Sequence, residues 1–324
     1  MHVARTNKAN QLKVWLVALG VARGLVALAL LMGAQPVFGQ SVSGQPVGAQ
    51  KLSITDLGTL GGDYVHSMAT DINSRGQVVG DSATGRFEKF RAFLWEDGKM
   101  TDLGTLPGSD SSRATGINNR RQVVGFSYDT ASRSVPHAFL WEDGKMTDLG
   151  TFPGGDDSGS VGFDINNRGQ VVGYSDTDTF ELSAFLWEDG KMTDLGTLPG
   201  GDTSFANAIN DREQVVGYST DVDLFTDRAF LWEDGKMTDL GTLGDDYIQS
   251  IANDINSRGQ VVGYSTKASG FPHAFLREDG KMTDLGTLPG SDSSIANGIN
   301  NRGQVVGYSG HADSGTNHAV LWTK

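Results

Sequence analysis

The seventeen residues AFLWEDGKMTDLGTLPG at positions 92–108 return unchanged at 184–200, and near copies begin at Ala138, Ala229 and Ala274. The tetrad DLGT within this stretch recurs at intervals of 45 or 46 residues, beginning at Asp56, Asp102, Asp148, Asp194, Asp239 and Asp284. A period in the forties without helical periodicity is typical of β-propeller blades, whereas one coil of a β-helix is roughly half as long. The sequence therefore predicts an all-β fold built from six repeated units.

Each unit contains four short β-prone runs that are separated by turn signals. In the first unit the runs are SMATDIN, GQVVG, RAFLW and KMTDLGTL. Asp-Gly joins the third run to the fourth, and this dipeptide favours a type I′ hairpin because both central residues of that turn need positive φ. The runs VVG and AFLW are apolar at consecutive positions, which indicates strands covered on both faces. We therefore predict six blades, each a four-stranded antiparallel sheet.

The two ends of the repeat region are complementary. The last unit finishes with HAVLWTK at Lys324 and lacks the fourth run, whereas a copy of that run, KLSITDLGTL, stands alone at Lys51–Leu60. Pairing of Lys51–Leu60 with His318–Trp322 would complete the last blade and leave no free sheet edge. The prediction is a single closed six-bladed propeller over residues 51–324, which we expect to be a monomer.

The N-terminal 39 residues have the pattern of a secretory signal peptide. Basic residues and no acidic residue accompany the apolar run GLVALALLMGA at 24–34, which is too short to span a membrane. Val37 and Gly39 are small residues suited to the −3 and −1 positions of a cleavage site. We therefore predict a signal peptide at 1–39, a short linker at 40–50, and a secreted or cell-surface protein in the bacterial exterior or periplasm.

The alternative for the N-terminus is an uncleaved membrane anchor over residues 14–34. Arg23 interrupts that segment near its middle, where a charged side chain costs about 2.5–3.5 kcal/mol. Cleavage is the interpretation that we prefer, and it leaves no membrane contact afterwards.

Charge and cysteine content exclude several classes of partner and site. The chain contains no cysteine, which removes disulfides and thiolate metal sites, and its formal net charge is −13. An acidic surface repels nucleic acid, because binding to phosphates requires Lys and Arg. We therefore expect no nucleic-acid partner, whereas cations would be attracted.

The predicted topology separates uniform turns from variable loops. The turns INxRG and EDGK lie at one end of each blade, and the loop between the second and third runs, which differs from unit to unit, lies at the other. Binding residues usually lie on variable loops held by a rigid scaffold. We therefore predict a non-catalytic binding or scaffolding module for a protein or glycan partner at the cell exterior. Candidate aromatic contacts in these loops are Phe87, Phe90, Tyr128, Phe180, Phe225 and Phe271.

An acidic residue follows each glycine turn that leads into a unit. The six are Asp63, Asp110, Asp156, Asp202, Asp246 and Asp292. In one interpretation they ring one mouth of the channel and bind a hard cation, with Ca²⁺ as the only cofactor that the sequence suggests. In the other, each side chain accepts a hydrogen bond from the backbone N–H two residues on, as in an Asx turn. Both interpretations stay open at this point.

Enzymatic activity is the alternative function. The sequence has no GxSxG elbow, P-loop, dinucleotide fingerprint or sialidase-type box, so no catalytic residue is nominated. Carboxylates from different blades can still act as acid and base on a glycan, as in a hydrolase or lyase with its carboxylates at the channel mouth. Such a site would require two or three carboxylates and an Arg or Tyr in one cleft.

The repeats resemble those of the bacterial extracellular HAF-repeat proteins. The resemblance rests on IN..GQVVGYS, HAFLW and DLGTLPGG, with the triplet itself at His137–Phe139 and His273–Phe275, and it covers about residues 51–324. It implies an extracellular location and a repeat architecture. The chain departs from the triplet at Arg91, Ser183, Arg228 and Val320. Because the first position accepts His, Arg and Ser, we predict that it faces solvent and binds no ligand.

Overall fold

The computed structural model describes residues 54–61, 66–84, 89–131, 135–153, 158–179, 181–224, 226–244, 249–311 and 315–323. All of the regular secondary structure in these residues is β-strand, arranged in six antiparallel sheets. The predicted signal peptide and linker lie outside the described residues. In the described part of the chain, no helical segment has the length and hydrophobicity that crossing a membrane requires.

Each sheet contains the strands of one repeat in sequence order, as the four runs per unit predict. Sheet 1 comprises β1 (Ser67–Ile72), β2 (Val78–Ala83), β3 (Phe90–Glu96) and β4 (Lys99–Asp102); sheet 2 comprises β5 (Ser111–Ile117), β6 (Val123–Tyr128), β7 (His137–Glu142) and β8 (Lys145–Asp148). Sheet 3 comprises β9 (Ser160–Ile165), β10 (Val171–Asp176), β11 (Leu182–Glu188) and β12 (Lys191–Asp194); sheet 4 comprises β13 (Thr203–Ile209), β14 (Val215–Asp221), β15 (Thr226–Glu233) and β16 (Lys236–Asp239). Sheet 5 comprises β17 (Ser250–Ile255), β18 (Val261–Thr266), β19 (Pro272–Glu278) and β20 (Lys281–Asp284); sheet 6 comprises β21 (Ser293–Ile299), β22 (Val305–His311) and β23 (Thr316–Trp322).

The hairpin between the third and fourth strands has the predicted geometry. In sheet 1, Asp97 and Gly98 have φ of 51° and 77°, which is the left-handed conformation that a type I′ turn needs at both central positions. The same pair of positive φ values recurs in sheets 2 to 5. The prediction from the Asp-Gly dipeptides is confirmed.

The glycine in the middle of each second strand is required by a close backbone approach. In sheet 3, the pairing of β9 with β10 is irregular between Val172 and Gly173. A Cβ atom added to Gly173 would stand 1.9 Å from the carbonyl oxygen of Val161, so any larger residue would push the two strands apart. The same approach recurs at Gly80, Gly125, Gly217, Gly263 and Gly307.

The hydrophobic core lies mainly between consecutive sheets. Between sheets 1 and 2, the buried residues Val79, Ala92 and Leu94 pack in one cluster with Ala114 and Ile117. Equivalent clusters fill the other four junctions. Trp141, Trp187, Trp232 and Trp322 belong to these clusters and pack between neighbouring sheets.

A carboxylate at the end of the first strand stabilises every second junction. In sheet 3, Asp164 accepts hydrogen bonds from the amide of Ile165 at 2.9 Å and from the amide of Ile209 in sheet 4 at 3.0 Å. Asp71 and Asp254 do the same for sheets 1 and 2 and for sheets 5 and 6. The even-numbered sheets have a small residue instead, namely Gly116, Ala208 or Gly298. The array therefore consists of three pairs of sheets, a two-unit period that we did not predict.

The predicted closure through the N-terminal strand is not seen. Among the described residues, sheet 6 has three strands, and residues 54–61 form no strand and leave Ile54 fully exposed; residues 51–53 of the predicted closing strand lie outside the described residues. This segment contacts sheet 1 instead, because the Leu60 amide donates to Ser82 Oγ and Ser67 Oγ donates to the carbonyl of Gly58. These are the contacts that DLGTL segments make with the following sheet elsewhere, for example from the Leu198 amide to Ser219 Oγ.

Candidate binding site

The two ends of each sheet differ in the way that the sequence predicts. At one end, here called the turn end, lie the tight turns that follow the first strand and the third strand. At the other, the loop end, lie the loops between the second and third strands and the segments that connect one sheet to the next. Residues that recur in every sheet have structural roles, so residues that do not repeat are the candidates for a functional site.

The Asn and Gln of the repeated IN-x-x-x-Q run stabilise the turn end. In sheet 3, Asn166 Oδ1 accepts hydrogen bonds from the amides of Arg168 and Gln170, which closes the turn. The Asn166 amide group donates to Gln170 Oε1 at 2.6 Å and to the carbonyl of Asn210 in sheet 4 at 3.1 Å. The same pair of contacts joins each sheet to the next, which gives these repeated residues a structural role.

The first residue of the HAF triplet contacts the Asp of the DLG segment in its own sheet. His137 Nδ1 lies 3.1 Å from Asp148 Oδ2, and Ser183 Oγ donates to Asp194 Oδ1 at 2.5 Å. Arg228 pairs with Asp239, and His273 pairs with Asp284. We predicted only that this position faces solvent, without the contact to the DLG aspartate. His, Arg and Ser all occur here because each can donate a hydrogen bond to that carboxylate.

The six acidic residues predicted to ring the channel mouth fall into two classes. Asp63, Asp156 and Asp246 lie outside the described residues. Asp110, Asp202 and Asp292 are described, and each precedes by two residues the serine that recurs in every first strand (Ser112, Ser204 and Ser294), whereas the other three precede the equivalent serine (Ser67, Ser160 and Ser250) by four. The six positions are therefore not equivalent along the chain.

The described members of the set bind the loop between the second and third strands of their own sheet. Asp110 accepts hydrogen bonds from the Thr130 amide and hydroxyl at 3.0 and 2.7 Å. Asp202 accepts one from the Val222 amide at 2.9 Å, and Asp292 lies 3.4 Å from His311 Nδ1. These carboxylates connect two loops that are about twenty residues apart in sequence.

An Asx turn of the kind expected at the six acidic positions occurs at the DLG segment. Asp194 Oδ1 accepts a hydrogen bond from the Gly196 amide at 2.7 Å, two residues on. The other five DLG segments contain the same turn, at Asp56, Asp102, Asp148, Asp239 and Asp284. Glycine follows because it has positive φ there, 74° at Gly196.

The cation ring stays a prediction. Within the part of the chain that the structure describes, no group of three or more His, Asp or Glu side chains is placed to hold a metal ion. Calorimetric titration of the protein with Ca²⁺ tests the ring directly. Heat of binding and a raised melting temperature would support it, and the absence of both would remove it.

One junction breaks the repeat at a buried position. In sheets 3 to 5, the fourth residue of the second-strand run is a tyrosine (Tyr174, Tyr218 and Tyr264), and the corresponding first-strand residue of the next sheet is Phe205, Ile251 or Ile295. These residues build a cluster across sheets 2 to 5, in which the rings of Tyr174 and Phe205 are 5.1 Å apart. Between sheets 1 and 2 the equivalent residues are Asp81 and Arg113. Two charged residues therefore replace an apolar pair at this junction alone.

Arg113 is held by aromatic side chains at the loop end. Its guanidinium carbon lies 4.3 Å from the centre of the Phe90 ring, and its side chain hydrogen bonds to Tyr128. The His66 ring meets Phe90 edge-on, with centroids 6.5 Å apart. Arg113 is partly exposed and His66 is exposed, so both are accessible to a ligand. Phe90 and Tyr128 are two of the loop aromatics that the sequence nominated as contacts.

Burial controls the protonation of the groups beneath Arg113. Asp81 is only 3% exposed, and burial raises the pKa of its carboxyl, against the charges of Arg113 and His66, which lower it. Burial likewise raises the pKa of Tyr128, although Arg113 lowers it, so the phenol stays protonated at neutral pH. Tyr128 is therefore a hydrogen-bonding group here and is a poor general base.

A second charged group lies at the rim of this junction. Lys89 Nζ is 2.8 Å from Asp110 Oδ2, which links the loop of sheet 1 to the segment that leads into sheet 2. Burial would raise the pKa of Asp110, but hydrogen bonds from Lys89, Thr130 and Ser111 hold it well below its usual range. Asp110 is therefore ionised, and its carboxylate oxygens are occupied by these hydrogen bonds.

The other aromatic residues that were predicted as ligand contacts do not add to the candidate site. Phe87, Phe180 and Phe225 lie outside the described residues, and Phe271 is partly buried. Exposed apolar side chains occur in the loop of sheet 4 instead, where Val222 and Leu224 stand at the surface. The sequence of this loop, STDVDLFTD, mixes polar and apolar residues without a pattern, so the exposure of Val222 and Leu224 was not predicted.

Comparison with known proteins gives a family match and several structural similarities. A family described as a protein of unknown function (DUF3466) matches residues 202–318. No curated protein matches the chain. Among solved structures, the β-propeller domain of the Trilobed protease from Pyrococcus furiosus is 12% identical, with a TM-score of 0.48 over 80% of this chain and 82% of that one.

Two further structures are similar to a comparable degree. The SapL1 lectin in complex with alpha methyl fucoside is 11% identical, with a TM-score of 0.44 over 79% of this chain and 92% of that one. TolB from Acinetobacter baumannii is 7% identical, with a TM-score of 0.46 over 76% and 66%. The six-sheet architecture of the chain is established by its own strand pairing, independently of these similarities.

Proposed function

We propose that the chain is a secreted, non-catalytic binding module whose ligand contacts the loop end at the junction of sheets 1 and 2. The observation that carries this proposal is the replacement of an apolar pair by Asp81 and Arg113 at one junction of an otherwise repeated array. A buried carboxylate such as that of Asp81 is unfavourable unless charge and hydrogen bonds compensate it, and well-packed apolar residues are commonly as stable. The charged pair therefore requires an explanation other than stability.

A neutral glycan is the partner that this chemistry fits best. The planar guanidinium presents several donors in a fixed geometry, which suits a pair of sugar hydroxyls. Phe90 and Tyr128 hold that guanidinium in place, so little side-chain freedom is lost on binding. Asp81 offsets its positive charge, and the net charge of the chain is −13. Strongly anionic ligands are therefore disfavoured.

Catalysis is the weaker alternative. A hydrolase or lyase would need an acid and a base beside the Arg and Tyr. Asp110 is occupied by Lys89 and Thr130, and Tyr128 is protonated at neutral pH. Among the described residues near Arg113, Asp81 is the carboxyl whose pKa is raised, so a general-acid role would rest on Asp81.

A protein partner is supported by a different surface. Val222 and Leu224 are 43% and 60% exposed at the loop end of sheet 4. Exposed apolar residues on a loop are suited to anchoring a protein partner. Binding of a protein through this loop would be independent of Arg113.

Secretion is part of the proposal and rests on the N-terminal sequence. The apolar run at 24–34 with its preceding basic residues and the small residues Val37 and Gly39 support cleavage after residue 39. N-terminal sequencing of the protein recovered from a bacterial culture tests this. A mature chain that begins near Gln40 in the medium or periplasm is expected, and an intact N-terminus in the cytoplasm would contradict it.

The binding proposal is tested by a glycan array with a consensus variant as the comparison. Asp81→Tyr/Arg113→Ile gives the junction of sheets 1 and 2 the residues found at the junction of sheets 5 and 6, Tyr264 and Ile295. We expect the wild type to bind a neutral glycan and the variant to fold but lose that binding. Val222→Ser/Leu224→Ser is the matched control at the loop end.

Each outcome of the array is informative. Equal glycan binding by the wild type and the consensus variant would overturn the proposed site, and no binding to any glycan would overturn the ligand class. Loss of binding in the Val222→Ser/Leu224→Ser control would move the site to sheet 4. Release of free sugar by the wild type, abolished in Asp81→Asn, would replace binding with glycan hydrolysis or elimination.

A further inference from the structure

The junctions between sheets use one arrangement of apolar residues. The earlier sheet supplies a valine from its second strand and an alanine and a leucine from its third, as Val79, Ala92 and Leu94 do in sheet 1. The later sheet supplies an isoleucine and, except in sheet 3, where Gly162 takes its place, an alanine from its first strand, as Ala114 and Ile117 do in sheet 2. All of these residues are buried at this junction.

Within the part of the chain that the structure describes, the first and last sheets each present one half of this arrangement without a partner sheet. On sheet 6, Val306 and Leu321 are 51% and 59% exposed, and Ala319 is exposed as well. On sheet 1, Ile72 is 62% exposed and Ala69 is exposed. Val306, Ala319 and Leu321 correspond to Val79, Ala92 and Leu94, and Ala69 and Ile72 correspond to Ala114 and Ile117. We call these surfaces the sheet 6 face and the sheet 1 face.

The polar groups at the two faces are complementary as well. At each junction, an Asn side chain in the turn donates to the carbonyl of the Asn in the next sheet, as Asn256 does to Asn300 at 3.0 Å. Asn300 donates to Gln304 in its own turn. The carbonyl of Asn73 accepts the Gly76 amide, as the equivalent carbonyls do, and has a second lone pair for a further donor.

The two-sheet period also continues from sheet 6 to sheet 1. At the junctions of sheets 2 and 3 and of sheets 4 and 5, a small residue (Gly116, Ala208) precedes a sheet that has its own Asp (Asp164, Asp254). Gly298 of sheet 6 and Asp71 of sheet 1 form the same combination. A sheet 1 packed on a sheet 6 would therefore repeat a junction that the chain already contains twice.

We propose that the sheet 6 face of one copy binds the sheet 1 face of a second copy, so that the protein associates head to tail. Terminal repeats normally have polar outer faces, because exposed junction residues promote stacking. Here both outer faces retain the junction residues. A head-to-tail contact uses two different surfaces, so it extends into a chain of copies unless the rotation closes a ring.

Sedimentation velocity across a range of concentrations tests the proposal in the purified protein. We expect association that Ile72→Asp and Val306→Asp each weaken by about tenfold or more in dissociation constant, because each places a charge in an apolar contact. Both side chains are exposed, so the variants should fold. Leu224→Asp is the matched control, since it also places a charge at an exposed apolar position, and it should associate as the wild type does.

Crosslinking separates association between copies from closure within one copy. The chain contains no cysteine, so Ile72→Cys and Val306→Cys are unique thiols. A mixture of the two single variants treated with a short bifunctional maleimide should give a covalent dimer. A crosslinked monomer from the Ile72→Cys/Val306→Cys double variant, with no dimer from the mixture, would show closure within one chain and overturn the proposal. A monomer at every concentration would overturn it as well.

Discussion

Asp164 in sheet 3 accepts a hydrogen bond from the backbone amide of Ile209 in sheet 4, at 3.0 Å. The other oxygen of the same carboxylate accepts the amide of Ile165 at 2.9 Å. One side chain therefore satisfies two isoleucine amides in consecutive sheets, and sheet 4 has Ala208 where sheet 3 has this aspartate. The alternation along the chain is a consequence of this sharing.

Loss of the shared carboxylate should destabilise two sheets at once. Asp164→Ala leaves the amides of Ile165 and Ile209 without this acceptor, and each unsatisfied buried donor costs about 1–3 kcal/mol. We expect the free energy of unfolding to fall by about 2–4 kcal/mol in urea denaturation. Asp178→Ala, in an exposed loop of sheet 3, is the control and should change it little. Equal stabilities would show that the Asp164 bonds contribute nothing.

Two glycines that look alike in sequence should respond differently to alanine. Gly173→Ala places a methyl group 1.9 Å from the carbonyl oxygen of Val161, so the strands must separate and the protein should lose about 3 kcal/mol or fail to fold. Gly298→Ala meets only ordinary contacts at 3.5 Å or more, and sheet 4 already has alanine at that position. Thermal unfolding of both variants checks the contrast. Comparable losses would refute the close approach.

The pair formed by His137 and Asp148 should make a small, pH-dependent contribution. The hydrogen bond that His137 donates to the Asp148 carboxylate raises the pKa of His137. Burial would raise the pKa of Asp148, but hydrogen bonds from His137 and the Gly150 amide hold it below its ordinary value.

The stability that His137 and Asp148 contribute decreases at both high and low pH. Stability from His137 is present below its unfolded pKa of about 6.5 and is lost as the pH rises through the higher folded pKa; stability from Asp148 is lost as the pH falls through its lowered pKa. Because the side chains are 38% and 46% exposed, the pair is worth less than about 1 kcal/mol. His137→Ser, which copies Ser183, should remove the loss at high pH. An NMR titration that gives His137 a pKa below 6.5 would contradict the assignment.

Asp81 should make the opposite contribution. Its carboxyl has a raised pKa in the folded protein because of burial, so its ionisation at neutral pH disfavours the folded state. Stability from this group therefore increases as the pH falls through its folded pKa towards about 3.9, the ordinary value for Asp. The free energy of unfolding of Asp81→Asn should increase relative to that of the wild type as the pH rises from about 4 to 7. A difference that is independent of pH would show that the carboxyl is not desolvated.

The local structure was predictable because it depends on neighbours in sequence. Asp97 and Gly98 are adjacent, and their dipeptide alone specifies the hairpin that the structure contains. The period of the DLGT tetrad likewise predicted six sheets, and the apolar runs predicted that β2 and its equivalents are covered on both faces. These features repeat, so the sequence presents each of them several times.

The candidate site was missed because its residues come from different units. Asp81 and Arg113 are far apart in sequence, and each looks like an ordinary surface charge within its own strand. Alignment of the six units would have identified them, since both positions are apolar in sheets 3 to 6. Closure was predicted from the number of strands alone. Residues 54–60 contact sheet 1 instead, through hydrogen bonds with Ser82 and Ser67 that the strand count did not reveal.

The most direct test of the account is calorimetric titration of the protein with the neutral glycan selected on the array, for the wild type, Arg113→Ile and Arg168→Ala. Arg168 lies in a turn of sheet 3, at the opposite end from the proposed site. We predict that Arg113→Ile weakens binding at least about tenfold while its melting temperature is retained, and that Arg168→Ala binds as the wild type does. Unchanged affinity in Arg113→Ile, or equal losses in both variants, would contradict a site at the junction of sheets 1 and 2.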